Sequence, residues 1–327
     1  MRILLRRREF IAALGGSAVW PLAARAQQRP VIGFLWSRSP GDDPHLVAAF
    51  REGLKQAGYI EGQNVGIEYR FAENQYDRLP ALAADLVRRR VAVIYANGPA
   101  ARAAKEATAT VPIVFSAGID PVEAGLVSSL NRPGGNITGV TILDVELGPK
   151  RLEVLHELVP ARSTVAALVN PSDPARTETT AKLLRAAART LGLQLVILHA
   201  STDAELDAVF ASLTQLGAGG LVIGGEPFFN SRVKQLAALS IRYAVPTVYQ
   251  LPEFTAAGGL ASYGSNLHDA ARLAGSYIGR ILKGEKPGDL PVQQATRIEL
   301  IMNIKTAWAL GVTVPLTLRV RADEVIE

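Results

Sequence analysis

Residues that could do chemistry are sparse in this chain. Its four histidines, His45, His156, His199 and His268, show no paired ligand spacing such as His-Glu-x-x-His, and there is no cysteine. Thiolate metal sites, disulfides, cysteine nucleophiles and cysteine-borne lipid anchors are therefore excluded. Neither a Gly-x-Ser-x-Gly elbow nor a Gly-x-x-x-x-Gly-Lys phosphate loop nor a Gly-x-Gly-x-x-Gly fingerprint occurs in the body of the chain. The glycine-rich run Gly134-Gly135-Asn136-Ile137-Thr138-Gly139 precedes a strand pattern instead of joining a strand to a helix. No catalytic set and no cofactor are expected.

What remains is a group of polar residues in short loops: Trp36-Ser37-Arg38-Ser39, Asn97-Gly98-Pro99, Ser116-Ala117-Gly118-Ile119-Asp120, Asn170-Pro171-Ser172-Asp173 and Gly224-Gly225-Glu226-Pro227. Each follows an apolar run and precedes a helical pattern. Open parallel sheets bind ligands at such places, where helix N-termini offer unpaired N–H groups to an anion. Ser37, Asn97 and Gly98 could donate to a carboxylate, or simply cap and turn the chain. Asp120 and Glu226 could hold a ligand ammonium, or cap the helices that start beside Pro121 and Pro227. Ser116 and Asn170 complete the polar set. Trp36 and Tyr263, at strand ends, suit a flat ligand, since offset stacking adds about 0.5–1.5 kcal/mol to area burial. Tyr249 reads as core, and Phe228 and Phe229 as the rim of the second half.

The elements that must position these loops are readable from periodicity. Strand patterns cover 31–36, 65–71, 91–96, 113–117 and 137–143, with amphipathic stretches at 44–57, 77–89 and 100–107. A second series has strands at 164–169, 194–199, 220–223, 247–249 and 260–263, with helices at 175–191, 204–216 and 231–243. Apolar strands separated by helices imply parallel sheets covered on both faces. The two series echo each other: 31–40 matches 165–174, and the run from 91 to 115 matches that from 221 to 249. At 327 residues the chain exceeds a single core.

The expected architecture is therefore α/β, two Rossmann-like lobes with parallel sheets, joined by a three-segment hinge with a ligand cleft between them. Residues 27–140 and 263–286 form lobe 1; residues 141–262 and 287–327 form lobe 2. Crossings are placed at Gly139-Val140-Thr141-Ile142, at Leu260-Ala261-Ser262-Tyr263-Gly264 and near 288–292.

Charge points away from nucleic acid. Of the net charge of +5, the first 26 residues supply +4, from five arginines against one glutamate. The body is nearly neutral, which removes the electrostatic case for a DNA or RNA partner. The segment 1–26 reads instead as an export signal: Arg6-Arg7-Arg8, an apolar stretch from 11 to 22, and Ala24-Arg25-Ala26 at a cleavage site. Its Arg7-Arg8-Glu9-Phe10-Ile11 is similar to a twin-arginine motif, with ordinary secretion as the alternative. The apolar stretch is short of the roughly 20 residues that span a bilayer. A monomeric protein of the periplasm, soluble once the signal is cleaved, is expected.

The order of motifs resembles the ABC-transporter substrate-binding proteins of the tryptophan/tyrosine-binding type, a branch of the type I periplasmic binding proteins. The resemblance spans the mature chain. It is carried by Val111-Pro112-Ile113-Val114-Phe115, by Asn131-Arg132-Pro133-Gly134-Gly135-Asn136-Ile137-Thr138-Gly139-Val140 and by Ile281-Leu282-Lys283-Gly284-Glu285-Lys286-Pro287 through Leu290-Pro291-Val292. Leu310-Gly311-Val312-Thr313-Val314-Pro315 and Arg321-Ala322-Asp323-Glu324-Val325-Ile326 close the pattern. The resemblance implies lobes that close over a small carboxylate-bearing metabolite, an amino acid and in some members an aromatic one, and deliver it to permease subunits in the inner membrane. A ligand sensor for a membrane receptor would use the same physics, and an exported cleft enzyme is the remaining alternative.

Overall fold

A computed structural model describes residues 29–142 and 144–327; the export-signal segment 1–26 lies outside the described residues. The first series runs β1 (Val31–Trp36), α1 (Pro44–Gln56), β2 (Gly66–Phe71), α2 (Leu79–Arg88), β3 (Val93–Asn97), α3 (Gly98–Ala107), β4 (Ile113–Ala117) and β5 (Ile137–Thr141). The second runs α4 (Gly148–Leu158), β6 (Thr164–Val169), α5 (Pro174–Leu191), β7 (Gln194–His199), α6 (Asp203–Gln215), β8 (Leu221–Ile223), α7 (Pro227–Asn230), α8 (Val233–Arg242), β9 (Thr247–Tyr249), α9 (Pro252–Ala256) and β10 (Ala261–Ser265). Then come α10 (Leu267–Leu282), β11 (Gln293–Gln294), β12 (Ile298–Asn303), α11 (Ile304–Ala309), α12 (Leu316–Arg321) and β13 (Glu324–Ile326).

Two sheets result. The six-stranded sheet has the order β11-β5-β4-β3-β1-β2 and is parallel throughout. The seven-stranded sheet has the order β13-β12-β10-β9-β8-β6-β7 and is parallel except where β10 meets β12. Strands such as Ile113–Ala117 and Thr164–Val169 are almost wholly buried, as sheets covered on both faces require. The fold is thus the expected two-sheet α/β arrangement, with one antiparallel pair in the second sheet. Among the described residues, no helix is long and apolar enough to cross a membrane.

The chain passes between sheets three times, and the crossings are tied to one another. It leaves the first sheet after Thr141, leaves the second after Ser265 and changes sheet again between Gln294 and Ile298. Ser265 Oγ donates to the Ile142 carbonyl, the Ala295 N–H donates to the Thr141 carbonyl at 2.8 Å, and the Asn266 N–H donates to the Arg297 carbonyl at 3.1 Å. Helix α10 returns to the first sheet and packs on α1. That contact is made close by glycine. A Cβ on Gly53 would lie 1.9 Å from the Arg272 carbonyl oxygen, and one on Gly275 2.2 Å from that of Phe50.

Because those neighbours are backbone and cannot swing aside, Gly53→Ala is expected to lower stability by about 1–2 kcal/mol, overpacking outweighing alanine's better helix propensity. A Cβ on Gly66 would meet only Val31 Cγ2 at 3.6 Å, so Gly66→Ala is the tolerated control. The urea unfolding midpoints of the two variants check this pair.

Candidate ligand-binding cleft

The carboxyl ends of both sheets face a common cleft with about 540 Å³ of atom-free space, mouth included. Its polar lining is Trp36, Arg38, Tyr95, Asn97, Ser116, Asp144, Arg176, Glu226 and Asn230. Leu46, Ile142, Pro227, Leu267, Ala270 and Ala271 supply the apolar surface. Two guanidiniums and two carboxylates therefore line a wall that is otherwise aromatic and aliphatic, with no net charge.

The first lobe contributes the aromatic side. Trp36 stacks on Phe34 with ring centroids 4.9 Å apart, and its Nε1–H donates to Asp43 Oδ2 at 3.0 Å. Tyr95 stacks on Phe50 at 4.7 Å, and its hydroxyl hydrogen-bonds Ser116 Oγ at 3.1 Å. Burial pushes the Tyr95 phenol up to about 12, so it stays a neutral hydrogen-bonding group. Arg38, nearly buried, pairs with Asp43 at 2.5 Å, while its Nε has no partner among the described residues. Burial raises the Asp43 carboxyl above its usual range, and the Arg38 charge opposes that rise.

Asn97 precedes α3 at the cap position without capping it. Its Oδ1 accepts from the Ser37 N–H at 2.9 Å and its Nδ2 donates to Ser37 Oγ at 3.0 Å, which occupies both ends of the amide. The contrast with the capping side chains of Asp173, Thr202, Asn266 and Asn303 is informative. At α3 the side chain that should cap the helix is engaged elsewhere, and the first helical residue, Gly98, lines the cleft.

The centre of the cleft is ionic. Asp144, just past the first crossing, accepts from Arg176 Nη2 at 2.7 Å and from Arg151 Nη1 at 3.2 Å. Arg151 is fully buried; it also donates to the carbonyls of Asp144 at 2.7 Å and Tyr263 at 3.3 Å. Burial lowers the Arg151 pKa, with Asp144 resisting that shift. Arg176 Nε donates to the Gly225 carbonyl at 2.7 Å. Asp144 sits so close to both lobes that a Cβ on Gly225 would lie 1.5 Å from its Oδ2, and one on Gly118 2.9 Å from its Cβ. Glycine is required at both loops by this approach alone.

Glu226 bridges the lobes from the other side. Its Oε2 accepts the Phe228 N–H at 2.7 Å, capping α7, and its Oε1 accepts from the Tyr76 hydroxyl of the first lobe. Burial raises its carboxyl, offset in part by Asn170, Tyr76, Arg176 and the Phe228 amide. The Tyr76 phenol is raised by burial and by the Glu226 charge, so it is the donor of this pair.

Of the residues singled out from sequence, Trp36, Asn97, Gly98, Ser116 and Glu226 meet in the cleft. Ser37 lies behind it, wholly buried on Asn97. Asn170 lies beside Glu226 and turns its own loop, its Oδ1 accepting from the Ser172 N–H at 2.9 Å. Asp120 is exposed, and the segment 121–125 after it is a turn instead of the expected helix. Its Oδ1 closes that turn, accepting from Val122 and Glu123 N–H at 2.7 and 3.1 Å, and it lines a separate hollow with Glu146 and Arg102. Tyr263 packs on the second-lobe core and offers only its carbonyl, to Arg151. Tyr249 is core, and Phe228 and Phe229 are buried. Sequence reasoning passed over Arg38, Tyr76, Asp144, Arg176 and Asn230. Arg38 was within reach, next to Ser37 in a loop already marked. Arg176 also left a signal, a cation in a first helical turn where acids are favoured.

Comparisons with known proteins follow the same lines. A family model described as ABC transporter substrate binding protein matches residues 42–326. A tyrosine-binding protein of Clostridioides difficile is 28% identical over 263 residues, 80% of this chain and 75% of that protein. The solved structure of an ABC domain in complex with L-Trp from Streptococcus pneumonia matches with a TM-score of 0.82 at 25% identity, covering 91% of this chain and 100% of that one. A ligand-free, open substrate-binding protein with adhesive properties from Clostridium difficile matches with a TM-score of 0.64 at 25% identity, covering 91% and 99%.

Removing Asp144 leaves Arg151 buried without its counter-charge, and breaking a buried pair this way costs about 3–5 kcal/mol. Asp144→Ala is expected to lose that much in chemical denaturation. Arg176→Ala, which leaves Asp144 and Arg151 paired, is expected to lose less than half as much.

Proposed function

We propose that this chain, which belongs to the ABC transporter substrate-binding protein family, binds an aromatic amino acid between its lobes and presents the closed form to a membrane permease. One observation carries the reading: the cleft pairs two guanidiniums with two carboxylates inside an apolar, aromatic wall. A zwitterion with a ring complements that surface, whereas a net anion or cation leaves one pair unmatched. The ligand carboxylate is assigned to the uncapped N-terminus of α3 at Gly98 and to Arg38, whose Nε awaits a partner. The ammonium is assigned to Glu226, with Asp144 behind it, and the ring to Trp36 and Tyr95.

Closure is part of the proposal. The Tyr76–Glu226 bond and the Gly118–Asp144–Gly225 stack join the lobes directly, so the described arrangement is read as closed. In support, the chain resembles the L-Trp complex more than the open ligand-free relative, at equal identity and coverage of this chain. Ligand contacts from both lobes select that form from an open one, and a permease distinguishes the two. The similar relative named as tyrosine-binding supports the ligand class. The role in import, the periplasmic location and a two-lobe division near 27–140 with 263–286 and 141–262 with 287–327 belong to the same proposal, with the second and third boundaries moved to follow Ser265 and Gln294, where the chain changes sheet.

Calorimetry with L-tryptophan, L-tyrosine and a desamino analogue such as indole-3-propionate tests it. Glu226→Gln is expected to weaken the amino acids about tenfold or more, the value of a charge-assisted bond, and the desamino acid much less. Equal weakening of both classes contradicts the ammonium assignment, and no binding of any of them contradicts the ligand class. For export, protein recovered from the periplasm is expected to begin at Gln27 by mass spectrometry, and retention of Met1 there contradicts the cleavage.

A further inference from the structure

The mouth of the cleft adjoins a second hollow, which shares Arg38, Leu46, Asn230 and Leu267 with it. His45 from α1 and Glu253 from α9 line this hollow, and with His268 from the first turn of α10 they bring one ligand atom each within 4.8 Å of the others. His45 Nε2 lies 3.4 Å and His268 Nε2 3.6 Å from the same carboxylate oxygen, Glu253 Oε1. Both separations are longer than a normal hydrogen bond of roughly 2.7–3.2 Å. They suit a different geometry: metal bonds of roughly 2.0–2.1 Å in a tetrahedron place neighbouring ligand atoms about 3.3 Å apart.

Two more observations point the same way. The imidazole rings stack with centroids 4.8 Å apart at 20°, side by side, with both Nε2 atoms turned to the carboxylate. The second oxygen, Glu253 Oε2, is buried and has no hydrogen-bond partner among the described residues, so it can accept from a metal-bound water. Nearby charges do not forbid a cation. Arg38 is neutralised by Asp43, and Asp42 faces the hollow together with Lys234.

We propose that His45, Glu253 and His268 form a zinc site that clamps the two lobes at the cleft mouth, with a fourth coordination position open to water. Two imidazoles and a carboxylate are a borderline-soft donor set that suits zinc and excludes calcium and magnesium, which require oxygen shells. Both histidines ride on the helix pair of the first sheet, and Glu253 rides on the second lobe. The full ligand set therefore exists only when the lobes are together, and zinc and closure favour each other.

The test uses chelator-treated, untagged protein at pH about 7.5. Titration with zinc chloride by calorimetry is expected to give one ion per chain. His45→Ala, His268→Ala and Glu253→Gln are each expected to weaken it about tenfold or more. All three side chains are partly exposed, so the variants keep their fold, which thermal unfolding without zinc verifies. Zinc alone is expected to reduce the radius of gyration of the unsubstituted protein and leave Glu253→Gln unchanged. Absence of saturable binding at millimolar zinc overturns the site, as does full binding by the double variant His45→Ala/His268→Ala. Binding without compaction overturns the clamp. No amino acid is present in these measurements, so they stand apart from the ligand assignment.

Discussion

Asp144 and its two arginines set the terms for the rest of the molecule. Arg151 is wholly buried, and a buried guanidinium is tolerated only if a carboxylate and enough acceptors surround it. Asp144 supplies the charge, and the carbonyls of Asp144 and Tyr263 supply further acceptors to Nη1 and Nη2, while Nε has no partner among the described residues. These groups lie on two different crossings between the sheets, so the bonds of one arginine tie both crossings together. Arg176 then takes the second oxygen of Asp144 and holds the Gly225 carbonyl, which brings the second-lobe loop against the hinge. Gly118 and Gly225 lack side chains because the carboxylate occupies the space a Cβ would need. The cleft floor is thus set by electrostatic satisfaction, and its aromatic walls are set by core packing behind them.

Much of the scaffold was legible in the sequence, because buried parallel strands are continuous apolar runs bounded by turns. The strands at 113–117, 164–169, 194–199 and 247–249 fall where periodicity places them. Helix α4 was not anticipated, and the reason is physical: Arg151 lies on its buried face, so the apolar stripe is broken by a charge whose partners are distant in sequence. The short strand Gln293–Gln294 escaped for a related reason, since two polar residues carry no periodic signal and only pairing with β5 makes them a strand.

The site was legible by place more than by partner. Loops at the carboxyl ends of strands are recognisable, and Trp36, Asn97, Gly98, Ser116 and Glu226 do meet there. Which polar atoms are already engaged is not a property of spacing. Ser37 and Asn97, sixty positions apart, consume each other's hydrogen-bonding groups, and Asp120 spends its carboxylate on the amides that follow it. Tyr76 and Glu226 are separated by 150 positions. Their contact follows from the lobes being together, which no local pattern encodes.

A neutral cleft built from opposed charges gains most when a zwitterion fills it and water leaves, since every charge is then matched from both sides. Closure is accordingly the central physical claim. The chain has no cysteine, so Glu106→Cys and Glu178→Cys, at exposed sites on α3 and α5, allow two dyes to be placed on opposite lobes without other labelling. Single-molecule energy transfer between them is predicted to move from a longer-distance to a shorter-distance population as L-tryptophan saturates the protein. One unchanged distance across a titration that calorimetry shows to be saturating would contradict the account.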